Sequence, residues 1–263
     1  MLLRDLPSFN SVKVGGRYLR PGDVFETITQ SCRMVLIEMS DRSLPLARRG
    51  TATLIKHGGT NYVVMTRHQF DLPRGSEVSK EVLETARVAS GKGVLSNILL
   101  QHCIFETGNP DEEYHDLLLF ETAADWKTKH QDQPYFFPLE PLWRGERIKS
   151  FLVGNPSLEG VIDAYHENFE PLRPGDINIK RAISDCDFDY SFMSNASYYR
   201  RYVNARERPV ADGYSGGAVF SMIGEAGSHA VVLDGIVVRA GRKHVHVIDV
   251  DYLLTIIADR RRG

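Results

Sequence analysis

Short apolar and β-branched runs recur along the whole chain, each cut off by glycine, proline or asparagine, and that rhythm points to β-structure almost throughout. Thr51 to Lys56 alternates toward Leu54, His57-Gly58-Gly59-Thr60 reads as a hairpin turn, and Asn61 to Thr66 is a second strand. Ile98 to Phe105, Leu117 to Phe120, Phe151 to Val153, Ala218 to Met222, Val231 to Val238 and Val245 to Val250 read as further strands. Gly108-Asn109-Pro110, Gly154-Asn155-Pro156 and Pro174-Gly175-Asp176 punctuate them. Two segments carry helical signals. Phe25 to Met39 is ambiguous, a helix leading into a strand being one reading. Asp251 to Arg262 is clearer: Leu254 and Ile257, with Leu253 on one reading, share a face, Asp249 or Asp251 can cap the start, and Arg260, Arg261 and Arg262 suit the negative end of the dipole. Many strands closed by one helix predict an all-β fold of two small antiparallel barrels.

A length of 263 residues suits that architecture, being long for an ordinary single domain. Lysine and arginine number 32 against 34 aspartates and glutamates, so nothing global favours nucleic acid or an acidic surface as partner. Met1 to Arg20 carries Arg4, Lys13, Arg17 and Arg20 without a long apolar run, so no signal peptide is expected. No stretch approaches the roughly 18 apolar residues of a membrane span. The cysteines are Cys32, Cys103 and Cys186; an odd count without an export signal predicts reduced thiols and a cytoplasmic location. There is no internal repeat and no low-complexity linker.

Three short segments carry chemistry. In Gly213-Tyr214-Ser215-Gly216-Gly217, glycines permit a tight turn that presents the hydroxyl and leaves room against the backbone. Such a turn can aim two N–H groups at one point, where they would hold the oxyanion of a tetrahedral intermediate. In Val63-Val64-Met65-Thr66-Arg67-His68, a histidine follows the end of an apolar strand, where it can be held rigidly while its ring faces a cleft. Histidine is the side chain that changes charge near neutral pH. In Tyr114-His115-Asp116-Leu117-Leu118-Leu119, an aspartate stands where the chain enters the core and can accept a ring proton from a histidine. Each segment alone has a plainer reading, as glycine-rich loop, surface histidine or solvated turn.

Together they run in the order His, Asp, Ser, and here the sequence resembles the trypsin-like (chymotrypsin-fold) serine peptidase family in its bacterial or intracellular form. Gly50-Thr51-Ala52-Thr53-Leu54-Ile55 is similar to the family's glycine-led strand. Thr66-Arg67-His68 resembles its threonine-to-histidine signature, one residue shorter than the common animal form. Asp116-Leu117-Leu118-Leu119, Val153-Gly154-Asn155-Pro156 and Leu233-Asp234-Gly235-Ile236-Val237 resemble the aspartate element, the turn opening the second barrel and the strand after the nucleophile. The resemblance implies two six-stranded antiparallel β-barrels with a C-terminal α-helix. Residues 1–128 would hold an N-terminal segment and the first barrel with His68 and Asp116, and residues 129–263 the second barrel with Ser215. It implies a serine endopeptidase in which Ser215 attacks the scissile carbonyl, His68 moves the proton and Asp116 orients His68. The N–H groups of Gly213 and Ser215 would form the oxyanion hole, and Val237, Val238 and Arg239 would offer backbone to the bound peptide. The primary pocket would be lined near Pro209 to Asp212 and by the strand ending at Arg239, whose charge either favours an acidic side chain or faces solvent. No cofactor and no metal are implied; the partners would be a protein or peptide substrate, with room for a regulatory protein.

Three departures from the family pattern stand out. Tyr214 stands where animal digestive members carry an aspartate, so activation by a freed N-terminal amine is not expected. Arg67 replaces a small residue, and Phe169 to Val210, including Tyr198-Tyr199-Arg200-Arg201-Tyr202, matches no part of the family pattern. The same Gly-x-Ser-x-Gly occurs in the α/β-hydrolase elbow, but that needs a strand before and a helix after, whereas Ser215 precedes a strand-like run. His244 and His246 share a strand face without an evident third metal ligand. The aromatic-arginine cluster and the arginine tail read as a solvated loop and a helix end rather than a nucleic-acid site. The remaining alternative is a catalytically inactive trypsin-like domain that binds a peptide or protein.

Overall fold

The computed structural model describes residues 11–38, 46–70, 78–89, 97–107, 114–123, 135–139, 145–156, 181–206, 212–225 and 228–260. In chain order the strands are β1 (Val12–Val14), β2 (Arg17–Leu19), β3 (Cys32–Glu38), β4 (Leu46–His57), β5 (Thr60–Thr66), β6 (Ala86–Ala89), β7 (Asn97–Ile98) and β8 (Leu100–Phe105). They continue with β9 (Leu117–Thr122), β10 (Phe137–Pro138), β11 (Glu146–Gly154), β12 (Ala182–Phe188), β13 (Tyr199–Asn204), β14 (Ala218–Glu225), β15 (Ser228–Ala240) and β16 (His244–Asp249). The helices are α1 (Pro21–Thr29), α2 (Val78–Thr85) and α3 (Val250–Arg260).

The β4–β5 hairpin turns where the sequence predicts. Gly58 and Gly59 both take positive φ, 55° and 88°, the left-handed pair a two-residue hairpin requires. The ambiguous segment after Phe25 divides into the end of α1 and all of β3. Pro21 lies in the first turn of α1, and Val24 and Ile28 bury one helix face before Cys32 opens the strand. At the other end, the Asp251 N–H donates to Asp249 Oδ1 at 3.0 Å, so Asp249 is the residue that caps α3. Leu253 and Ile257 are buried on its inner face.

The strands form two sheets. In the second, β14-β11-β12-β13-β16-β15 closes into a six-stranded antiparallel barrel because β14 also pairs with β15. In the first, the order is β7-β6-β3-β4-β5-β9-β8. This sheet curls but is only half-closed, which corrects the expectation of two closed six-stranded barrels. The two edges of the sheet, β7 and β8, are joined by the chain through Leu99 but by no ladder between them. The chain changes partner there, β7 pairing with β6 and β8 with β9, and β8 meets β9 with two register breaks. A two-residue strand and a bulged one leave too little regular backbone to complete a ladder. Two pairings are parallel rather than antiparallel: β10 lies along β4, and β1 along β15. The β1–β2 hairpin therefore extends the second sheet although it precedes the first.

Among the described residues three large cores follow from this arrangement, beside a small cluster of Met34, Leu36 and Ala89. Ala52, Leu54, Val63, Met65, Leu118 and Phe120 are buried inside the first sheet. Leu152, Val219, Val237, Val245 and Val247 fill the second barrel. The largest core is shared: Ile55, Val64, Leu117 and Leu119 of one sheet meet Phe151, Val153, Phe220 and Ile236 of the other, with Val12, Val14, Ile28 and Leu253 packed in. Burying each such side chain contributes about 1.5–3 kcal/mol, so the seam between the sheets is held by the same effect that holds each sheet.

Candidate active site

The seam brings His68, Asp116 and Ser215 together. A 3-10 turn over Arg67–Phe70 follows β5 and sets the imidazole just beyond the strand end. The Arg67 N–H donates to Asp116 O at 2.7 Å, drawing the turn onto the segment before β9. The His68 N–H donates to Asp116 Oδ1 at 2.9 Å, and His68 Nδ1 lies 2.7 Å from Asp116 Oδ2. An ionised carboxylate only accepts, so Nδ1 carries the hydrogen and Nε2 is left with its lone pair. His68 Nε2 is 2.7 Å from Ser215 Oγ, whose hydroxyl can donate to it. The imidazole side chain is 48% exposed and the carboxylate 17%, so the row opens to solvent on the histidine side.

The loop bearing Ser215 is fixed by β4. Gly213 and Gly216 take φ of 91° and 76°. The Thr51 hydroxyl donates to Gly213 O at 2.7 Å, the Thr51 N–H to Ser215 O at 3.0 Å, and the Thr53 hydroxyl to Gly216 O at 2.7 Å. Three carbonyls of the loop are thus held against the first sheet. Among the described residues the N–H groups of Gly213 and Ser215 have no acceptor, whereas the N–H groups of Gly216 and Gly217 bond Val237 O and Tyr214 O, each at 2.8 Å. Tyr214 is buried in the second barrel.

Gln69, which the sequence reading passed over, joins the two halves of the site. Its Oε1 accepts the Thr66 N–H at 2.8 Å, and its Nε2 donates to Thr51 O at 2.9 Å and to Ser215 O at 3.1 Å. The only signal in the sequence was an amide side chain directly after His68. Thr51 and Thr53 were visible as alternating hydroxyls in the glycine-led strand, but their partners lie more than a hundred residues away. Arg67 is nearly buried and pairs with Glu106 at 3.0 Å, which explains why a large cation is accommodated beside His68.

No protein-family model matches this chain, and no curated protein does. The closed barrel with its curled partner and C-terminal helix is compatible with a chymotrypsin-like fold.

The other expected site residues are placed as follows. Val237 does not offer a free backbone: its N–H donates to Gly217 O and its carbonyl accepts from Gly216, each at 2.8 Å, so it anchors the serine loop instead. Val238 and Arg239 lie just beyond, Arg239 exposed. Residues 209–211, and 169–180 and 207–210 of the long segment, lie outside the described residues, as do the turns at 108–110 and 174–176. Tyr199 and Phe192 pack against His246, with ring centroids 5.4 and 5.5 Å away. No group of three metal-ligating side chains occurs among the described residues. All three cysteines are free thiols. Burial pushes the Cys32 thiol up to about 11, which leaves it a poor nucleophile. Asp234 is also apart from the row: inside the second barrel it accepts from the hydroxyls of Ser221 and Tyr202 and pairs with Arg147. No described helix is long and apolar enough to cross a membrane.

Proposed function

We propose that this chain is a serine endopeptidase acting through Ser215, His68 and Asp116. The observation that carries the reading is the His68 ring, bonded at 2.7 Å both to a carboxylate and to the hydroxyl of Ser215. In this mechanism His68 Nε2 takes the hydroxyl proton as Ser215 Oγ attacks the peptide carbonyl. The imidazolium is stabilised by Asp116, which also holds the tautomer. Negative charge developing on the carbonyl oxygen is met by the N–H groups of Gly213 and Ser215, which have no other acceptor among the described residues. The proton passes from Nε2 to the leaving amine, and the same base then activates the water that hydrolyses the acyl-enzyme. The buried Tyr214 offers no carboxylate to a new N-terminal amine, so the activity needs no cleavage to assemble the loop.

Labelling with a fluorophosphonate tests the reading. The wild-type chain is expected to take up the probe and Ser215→Ala to take up none. Ser215→Ala and His68→Ala are each expected to lower peptide turnover about 10⁴-fold or more with the fold retained by circular dichroism. Undiminished turnover in Ser215→Ala sinks the proposal. Absence of label on the folded wild type would instead leave a binding module.

A further inference from the structure

We propose that the site selects peptides carrying an acidic side chain within about three residues of the scissile bond, read by Arg239 at the open edge of β15. This rests on the peptidase reading above.

The edge is open because β15 outlasts its neighbour. Its ladder with β14 ends at the pair Ala218 and Ile236, and Val237 is then bonded to Gly216 and Gly217 of the serine loop. From Val238 to Ala240 it is paired on one side alone, by β16. On the side of Ser215 no described strand lies beside it. An extended peptide entering there would add a strand. At about 3.3 Å per residue, three residues of edge cover roughly 10 Å, the stretch of substrate nearest the attacked carbonyl.

A strand so placed sends alternate side chains to opposite faces of the sheet. One face is apolar, lined by Val237, Val245 and Val247 of the barrel core. The other carries Arg239, directly across from His246 in the ladder; the register break puts Val238 and Arg239 on the same side of the sheet, Val238 buried in the shared core and Arg239 exposed at its margin. Tyr199 and Phe192 wall this shelf against His246.

Charge on the shelf is of one sign. The eight positions 239–246 hold Arg239, Arg242, Lys243, His244 and His246 and no acid. Two neighbouring carboxylates are taken, Asp189 by Arg201 at 2.7 Å and Asp249 by Arg200 at 3.3 Å, and the exposed Asp187 stands two strands from His244 in the same row. Arg239 makes no ion pair among the described residues. Burial, together with Arg239 and Arg201, holds His246 below the ordinary histidine range, as expected where cations crowd one another. A glutamate or aspartate in the peptide supplies the missing opposite charge.

The test compares wild type with Arg239→Glu on a positional-scanning peptide library, using the full chain. At one position within three residues of the cut, kcat/KM is expected to favour glutamate over lysine about twofold to fivefold, the scale of an exposed ion pair. Arg239→Glu should abolish or reverse that preference. In parallel, Ser215→Ala is titrated by fluorescence anisotropy with an acidic peptide and its glutamine counterpart, and the acidic peptide should bind more tightly unless Arg239 is also replaced. Cleavage with fluorophosphonate labelling but no acidic preference, or a preference untouched in Arg239→Glu, overturns the inference and leaves the peptidase standing. Arg239-dependent binding of the acidic peptide without label or cleavage upholds the shelf and removes the peptidase. Neither binding nor cleavage removes both.

Discussion

Gln69 is bonded to three different segments, with both hydrogens of its amide nitrogen in use. It ties the end of β5, the middle of β4 and the carbonyl of Ser215. Replacing it with alanine strands the buried Thr66 N–H, while Ser215 O keeps the Thr51 N–H. An unsatisfied buried group costs about 1–3 kcal/mol, so Gln69→Ala should lower stability by that amount. A loop freed by a fraction of an ångström should also lower kcat by roughly 10- to 100-fold with KM little changed. Gln69→Glu should be worse still, because it keeps the acceptor for Thr66 but turns a carboxylate oxygen on two carbonyls. Thermal melts beside single-turnover labelling rates would decide; variants labelling at the wild-type rate would show that the tether is dispensable. Ser215, His68 and Asp116 were legible from sequence because each stands at a strand end or glycine turn that local pattern reveals. Gln69, Thr51 and Thr53 were not, since an amide or hydroxyl acquires its role only when a distant carbonyl arrives.

Strands were legible for the same local reason, and what the alternation of side chains could not show was which edge meets which. Nothing in Ile98 to Phe105 marks Leu99 as the point where pairing passes from β6 to β9, so that one stretch of chain serves both edges of the half-closed first sheet. Glycines illustrate how far an element's own sequence reaches. Gly59 and Gly216 both have positive φ, 88° and 76°, and look equivalent along the chain. An added methyl at Gly59 meets nothing, whereas at Gly216 it would collide with the carbonyl oxygen of Thr51 across the seam. Gly59→Ala should therefore cost only the left-handed strain, about 1–2 kcal/mol. Gly216→Ala adds overpacking of about 1–3 kcal/mol and displaces Ser215. Urea titrations of the two variants give the comparison, and equal losses would contradict the close approach of β4 to the serine loop.

At the scale of the molecule, the candidate site has no home in either sheet alone. The imidazole and the carboxylate come from the first, the hydroxyl from the second, and the apolar side chains beneath them belong to one continuous core. Helix α1 and the β1–β2 hairpin feed that same core from the N-terminal side, with Val12, Val14 and Ile28 fully buried. A division into two halves along the chain thus describes the order of His68, Asp116 and Ser215 better than the energetics. If the shared core governs stability, the two sheets must unfold together. Ile28→Ala removes a fully buried side chain from the seam and should cost about 2–5 kcal/mol, a large part of the total for an ordinary domain. Hydrogen exchange reads the consequence: protection in β5 of the first sheet and in β14 of the second should fall by the same factor, because a single global opening exposes both. Loss of protection in β14 with β5 unaffected would mean that the sheets open independently and that the site is held by its hydrogen bonds rather than by the core beneath it.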